Sequence, residues 1–115
     1  MKLIDKSTIL EVFEDIRQKG EWDINRELLY GYFFLDENRQ KLKTVGDNLK
    51  KNGYTFVDIF KAESEENEKA EMYYLHIEKV EIHSVDSLFE RNIEFYKVAE
   101  KFGINSYDGF DIGDV

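Results

Sequence analysis

The chain has 115 residues with no cysteine, and its net charge is −9. This length suits one domain with its own core, and a hydrophobic content of 42% favours a globular fold over disorder. The lack of cysteine excludes disulfides, thiolate metal sites and cysteine nucleophiles. No apolar run reaches the length of a membrane span and no signal-peptide core is found, so we expect a cytoplasmic protein.

The charge balance argues against direct nucleic-acid binding. Asp and Glu number 25 against 16 for Lys and Arg, and an acidic protein is repelled by phosphate backbones unless its positive charges cluster. Basic residues cluster only between Arg39 and Lys51, as expected for the solvated face of one helix. We therefore expect a protein partner with a basic surface, and neither nucleic acid nor a membrane.

The first half of the chain predicts a helix, a strand and a second helix. Apolar residues recur with helical spacing over residues 7–19. Residues 27–35 form the longest apolar and aromatic run, and both sets of alternate residues are apolar. This pattern is typical of an interior strand that is at least partly covered on both sides. A second helix is predicted to follow, capped by Asp36 and ending near residue 52.

The second half predicts two strands, a helix and a final short strand. Residues 54–61 alternate as a strand, and residues 71–83 form a longer one. The apolar positions of the longer strand change parity, which predicts a bulge or bend near Glu78 and Lys79. The third helix is predicted over residues 85–102.

The order of these elements predicts an α+β fold. After the first helix, the order strand–helix–strand–strand–helix–strand is that of a ferredoxin-like βαββαβ antiparallel sheet with two helices on one face. The N-terminal helix is an addition to this arrangement. We assign residues 1–26 to this helix and its connector, and residues 27–115 to the ferredoxin-like domain, within one compact whole.

The predicted sheet has a side that faces the helices and an open side. We expect the helix side to carry Leu29, Phe33, Val57, Ile59, Leu75 and Ile77. We expect the open side to carry Tyr30, Tyr32, Phe34, Phe56, Phe60, Met72, Tyr74 and His76. Three interpretations of the aromatic open side stand: the N-terminal helix covers it, a partner protein binds it, or it stacks RNA bases. The acidic charge disfavours the third.

No catalytic or metal-binding pattern is found. His76 and His83 lack the spacing of a metal-binding pair, and no serine and acid are placed beside them in a catalytic pattern. The chain has no glycine loop for phosphate and no calcium loop. We therefore expect no enzyme activity, no cofactor and no metal.

Acidic residues are the predicted partner-binding groups, in a charged loop after the second strand and in the C-terminal tail. The alternative is that they are solvated surface charges. These residues are Glu63, Glu65, Glu66, Glu68, Asp108, Asp111 and Asp114.

Short motifs between residues 22 and 112 carry a family resemblance. They are the aromatic strand at residues 29–34, Leu49 with the later pair Gly53 and Tyr54, the sequence Gly103, Ile104 and Asn105, and the closing motif Tyr107, Asp108, Gly109 and Phe110. Together they resemble the RraB family, the protein regulators of ribonuclease E activity. The closing motif of that family usually reads Tyr-Asp-Gly-Trp followed by Gly, whereas Phe110 and Asp111 stand at the last two positions here.

The resemblance implies an acidic ferredoxin-like protein that binds ribonuclease E and inhibits it without catalysing a reaction. The alternative is an acidic immunity or antitoxin-like protein that neutralises another basic protein. We expect a monomer or a weak homo-oligomer. The closing motif also has a structural interpretation, as a turn between two aromatic core residues.

Overall fold

The computed structural model describes residues 3–20, 22–62 and 71–115. In these residues the chain forms three α-helices and one four-stranded antiparallel sheet, as expected for an α+β fold. In chain order the elements are α1 (Lys6–Lys19), β1 (Leu28–Asp36), α2 (Arg39–Lys51), β2 (Thr55–Lys61), β3 (Tyr73–Glu81), α3 (Val85–Phe102) and β4 (Ser106–Gly113). None of the described helices is long and apolar enough to span a membrane.

The strand order in the sheet is β2-β3-β1-β4, which is compatible with a ferredoxin-like fold. β1 is an interior strand, as predicted, because it pairs with β3 on one side and with β4 on the other. β2 and β4 are the edges of the sheet.

The helix ends follow local capping chemistry, with one correction. Gly20 and Gly103 take the left-handed conformation after α1 and α3, at φ 65° and 66°. The predicted cap of α2 at Asp36 is wrong, because the side chain of Asn38 accepts the first amides of that helix. The Asp36 carboxylate instead accepts from the backbone amides of Asn38 and Asn105, and so joins two loops.

The helices α2 and α3 pack on one side of the sheet. A Cβ added to Gly46 of α2 would lie 2.4 Å from the ring of Phe56, so glycine permits the close approach of this helix. The Phe95 ring of α3 lies 4.7 Å from the ring of Tyr32 and 5.4 Å from that of Phe34, between ring centroids. This aromatic cluster forms the centre of the core.

The helix α1 packs along α3. Its residues Ile9 and Phe13 are buried, and the hydroxyl of Tyr96 accepts the backbone N–H of Ile4 just before the helix. Lys6 of α1 forms an ion pair with Asp86 of α3. The interpretation in which the N-terminal helix covers the open side of the sheet is therefore wrong.

The predicted faces of β1 are exchanged. Tyr30, Tyr32 and Phe34 are fully buried on the helix side, where Phe34 pairs with Leu75 of β3 and Tyr32 pairs with Ile77. Both sets of alternate residues in β1 are apolar, so polarity could not distinguish them. The assignments of Leu75 and Ile77 are confirmed, as is that of Ile59, which pairs with Leu75. Leu29 and Phe33 lie on the open side, and Phe56 lies on the helix side.

The bulges also lie elsewhere than predicted. The pairing of β3 with β1 runs without a shift through Glu78 and Lys79. One register shift leaves Val57 as an extra residue in β2, and another leaves Asp108 as an extra residue in β4. The parity change in β3 needs no bulge, because Val80 and Ile82 are exposed apolar residues.

Candidate functional site

The side of the sheet away from the helices, which we call the open face, is partly accessible even at its centre. On β1, Leu29, Phe33 and Leu35 are partly exposed, whereas the alternating residues of the helix side are fully buried. The cross-strand register places on the open face Leu29, Gly31, Phe33, Leu35, Thr55, Asp58, Phe60, Tyr74, His76, Glu78, Val80, Ser106, Gly109, Asp111 and Gly113.

A row of aromatic rings crosses the open face. The rings of Phe33 and His76 are stacked, with centroids 4.5 Å apart and an angle of 16° between their planes. Tyr74 meets Phe33 edge to face at 6.2 Å and lies 5.6 Å from the ring of Phe60. Phe60 is 40% exposed, so the row ends in an accessible apolar side chain at the edge strand.

The side chains of Asp111 and His76 fill the space above Gly31 at the centre of the open face. A Cβ at this position would lie 2.3 Å from Oδ1 of Asp111 and 2.9 Å from Nε2 of His76. Glu78 places Oε2 3.8 Å from the same Nε2. This nitrogen is buried and has no hydrogen-bond partner in the described part of the chain. The missing side chain of Gly31 thus lets two carboxylates and an imidazole converge.

The open face is acidic. Asp58, Glu78 and Asp111 lie on it, and its strand positions in the described residues include no lysine or arginine. Lys61 and Lys79 instead pair with residues of the helix side, Tyr73 and Tyr30. This distribution gives the two sides of the sheet different charges.

Tyr74 links the aromatic row to the edge strand β4. Its hydroxyl donates to Oδ2 of Asp108 at 2.9 Å. Burial raises the pKa of Tyr74, and the hydrogen bond to Asp108 raises it further. Asp108 therefore joins the acidic groups at the border of the open face.

The predicted partner-binding residues fall into three groups. Asp108 and Asp111 lie together on β4, at a groove of about 510 Å³ between this strand and α1. Asp114 is separate and forms an ion pair with Arg26. The predicted residues Glu63, Glu65, Glu66 and Glu68 lie outside the described residues. The apolar lining of the groove comprises Ile4, Val12, Ile16, Trp22, Phe110 and Ile112.

The closing motif builds the edge strand. Tyr107 is buried, and its hydroxyl donates to Oδ1 of Asn92 at 2.6 Å, while burial raises the pKa of Tyr107. Gly109 has a φ of +133°, which L side chains rarely adopt, and it follows the extra residue Asp108. Phe110 is half-buried against the core. The motif therefore has a structural role in anchoring β4.

The helix side of the sheet carries a polar cluster that the sequence analysis did not identify. Glu81 accepts from the Tyr32 hydroxyl at 3.0 Å and forms an ion pair with Arg91 at 2.7 Å. Arg91 also contacts the hydroxyl of Tyr54. Burial acts to raise the pKa of Glu81, but the hydrogen bond with His83 and the charge of Arg91 outweigh it and lower this pKa.

In this cluster the side chain of His83 lies between a serine and a carboxylate. We had expected no serine and acid beside either histidine. Nδ1 of His83 lies 2.9 Å from Oγ of Ser87, and its Nε2 lies 3.4 Å from Oε1 of Glu81. However, Oγ of Ser87 also accepts the backbone N–H of Ser84 in the capping box of α3. The spacing of four residues between His83 and Ser87 was the signal available in the sequence. The contacts give the three side chains a structural role at the start of α3.

No group of three or more potential metal-ligating side chains is found in residues 3–20, 22–62 and 71–115. The open face supplies instead exposed aromatic and aliphatic surface bordered by carboxylates. Such a surface can bind another macromolecule without covalent chemistry.

Comparison with known proteins identifies the family. A family model described as regulator of ribonuclease activity B, RraB, matches residues 8–112. No curated protein matches the chain. The family match extends from α1 into β4 and so covers nearly all of the fold described above. The resemblance carried by the short motifs is confirmed, and the chain belongs to the RraB family of regulators of ribonuclease activity.

Proposed function

We propose that this protein is a non-catalytic cytoplasmic regulator that binds ribonuclease E and lowers its activity. The observation that carries the proposal is the match of residues 8–112 to a family described as regulators of ribonuclease activity. The net charge of −9 supports a partner with a basic surface, since opposite charges accelerate encounter and favour the correct partner.

Regulation by binding is better supported than catalysis. The serine of the contact between His83, Ser87 and Glu81 takes part in the cap of α3, and His83 is buried. A catalytic serine would need a free hydroxyl beside a substrate site. The open face, by contrast, offers accessible aromatic and acidic side chains of the kind that contact a partner protein.

Direct RNA binding by the open face is disfavoured by its charge. Aromatic rings on a four-stranded sheet can stack bases, but the carboxylates of Asp58, Glu78 and Asp111 would repel the phosphates. A regulator that acts on the ribonuclease itself avoids this repulsion.

A second candidate is an acidic immunity or antitoxin-like protein that neutralises a different basic protein. The acidic open face favours any partner of opposite charge, so it supports this candidate as well. A gene for a basic nuclease toxin beside the gene for this protein would favour it over ribonuclease E.

The test is a titration of the purified protein against ribonuclease E of the same organism, at low and moderate salt, with RNA cleavage followed in parallel. We expect saturable binding that weakens with salt and slows cleavage. A control titration of the protein against the RNA substrate alone detects inhibition through RNA capture. No binding at micromolar protein, or slowed cleavage that parallels RNA capture, would contradict the proposed function.

A further inference from the structure

The groove between α1 and β4 lies beside a free strand edge. β4 pairs with β1 on one side only, so its outer edge exposes backbone N–H and C=O groups that pair with no other strand in the described chain. From Thr8 to Lys19 the helix lines the groove over about 16 Å, and from Asp108 to Ile112 the strand lines it over about 13 Å. These lengths fit a segment of about four or five extended residues.

The side chains of β4 alternate between the groove and the open face. Phe110 and Ile112 pair with residues of the helix side, line the groove and are only half-buried. Gly109 and Asp111 pair with residues of the open face. The extra residue Asp108 interrupts the ladder at one end, so the regular edge begins after it. A strand added beside this edge would repeat the alternation, with every second side chain in the groove.

The charge of the groove selects the chemistry of such a strand. The one basic residue among its described lining is Lys19, whose Nζ lies 3.0 Å from Oδ2 of Asp15. Asp108 and Asp111 are exposed and form no ion pair with a lysine or arginine of the described chain. Cationic side chains beside these carboxylates are therefore favoured. A second copy of this chain is disfavoured, because edge-to-edge pairing of two β4 strands would bring like charges together.

We propose that β4 and the groove bind an extended protein segment in which apolar and basic residues alternate. The segment pairs with the outer edge of β4 as a fifth strand of the sheet. Its apolar side chains enter the groove beside Phe110 and Ile112, and its basic side chains lie beside Asp111. This inference rests on the proposed function, since the segment would belong to the ribonuclease, and it adds the surface and the pattern of recognition.

Matched variants test the groove and its charge separately. Val12→Lys places a cation in the groove, and its control Leu10→Lys places one at a 42% exposed position of the same helix that does not line the groove. Asp111→Asn removes a carboxylate from β4, and Asp47→Asn removes one from α2 as the charge control. Circular dichroism and urea unfolding verify that each variant is folded.

Each variant is titrated with ribonuclease E, and in parallel with two synthetic peptides of the same composition. One peptide alternates leucine and arginine, and the other places its leucines at helical spacing. We expect Val12→Lys to weaken binding of ribonuclease E and of the alternating peptide about tenfold or more, and Asp111→Asn to weaken it about fivefold. The two controls should stay within about twofold of the unchanged protein.

The backbone of the alternating peptide tests the pairing with β4. In an extended strand the N–H groups of the leucines point to one side and those of the arginines to the other. We therefore expect N-methylation of one of these two sets to abolish binding, and N-methylation of the other set to leave it. Equal effects of the two sets would overturn the pairing.

Two sets of outcomes separate this inference from the proposed function. If ribonuclease E binds but Val12→Lys behaves as Leu10→Lys, the docking surface is wrong and the proposed function stands. If ribonuclease E does not bind, the proposed function fails, and the peptides decide the inference. Binding of either probe that Val12→Lys loses and Leu10→Lys keeps supports it. Absence of saturable binding to both probes, tighter binding of the peptide with helical spacing, or a dimer in sedimentation that Val12→Lys dissociates would overturn it.

Discussion

Phe33 and Phe34 are neighbours on the central strand, yet they lie in different environments. Phe34 is fully buried, and its ring lies 5.4 Å from that of Phe95 and 5.2 Å from that of Tyr107. Phe33 points to the open face, stacks on His76 and stays partly accessible. The same residue type thus supports the fold on one side of the sheet and is available to a partner on the other.

The charged groups of the two sides also differ in whether they have partners within the protein. On the helix side, the carboxylate of Glu81 is paired with Arg91 and hydrogen-bonded to Tyr32. On the open face, Glu78 and Asp111 both pair with Gly31, and the described strand positions of this face carry no lysine or arginine. A buried charge that has partners stabilises the fold, whereas accessible carboxylates without a nearby lysine or arginine are suited to bind a cationic group of another protein.

The largest expected effect on stability comes from replacing Phe34, and the matched change at Phe33 should cost much less. Phe34→Ala should lower the free energy of unfolding by about 3–5 kcal/mol, because it leaves a cavity in a packed aromatic cluster. Phe33→Ala should cost only about 1–2 kcal/mol, because its side chain is already partly exposed to water. Urea unfolding measures both values, and equal losses would refute the distinction between the two sides.

A second prediction concerns the buried ion pair. Arg91→Ala should lower the free energy of unfolding by about 2–4 kcal/mol, since it leaves the carboxylate of Glu81 without its cation. Lys97→Ala, which changes an exposed cation on the same helix, is the control and should cost less than about 0.5 kcal/mol. A loss for Arg91→Ala no larger than that of the control would show that the pair contributes little.

The closing motif gives a third prediction. Asn92→Ala should cost about 1–3 kcal/mol, because it leaves the buried hydroxyl of Tyr107 without an acceptor. Adding Tyr107→Phe to this variant removes the unpaired hydroxyl, so the double variant should lose less stability than the sum of the single variants. Additive losses in urea unfolding would argue against the hydrogen bond as the cause.

The smallest expected effect is a pH dependence. The pKa of Glu81 is lowered in the folded protein from an ordinary value of 4.5, so its ionised form stabilises the fold at higher pH. This contribution is lost as the pH falls below 4.5 through the lowered pKa. The free energy of unfolding should therefore fall less steeply with acidification in Glu81→Gln than in the unchanged protein. Equal slopes would contradict this role of Glu81.

The sequence was sufficient to predict the elements but not which faces meet. Helical spacing predicted the described helices, alternation predicted β2 and β3, and the apolar run at residues 27–35 predicted an interior strand. The short final strand was predicted without such a pattern. The orientation of β1 could not be predicted, because both of its sets of side chains are apolar. The extra residue Val57 has no local signal, since its register shift depends on the partner strand, whereas the glycine next to Asp108 is of the kind that marks a bulge.

The candidate site depends on contacts between distant parts of the chain. Gly31, His76 and Asp111 converge only because β1 pairs with both β3 and β4. The sequence predicted Asp111 as an acidic contact residue and gave no reason to connect it with Gly31. Charge composition can therefore predict the kind of partner, whereas predicting which surface binds it requires knowledge of the strand register.

The central claim is that the groove between α1 and β4 docks the ribonuclease, and thiol footprinting tests it most directly. The chain has no cysteine, so the variants Lys19→Cys at the groove and Lys43→Cys on α2 each carry one thiol. Their native side chains are 63% and 58% exposed and each pairs with an aspartate four residues away, which makes the two positions a matched pair. With saturating ribonuclease E, we predict slower alkylation of the Lys19→Cys variant and an unchanged rate for the Lys43→Cys variant. An unchanged rate for the Lys19→Cys variant in the bound state, or equal slowing of both, would contradict the account.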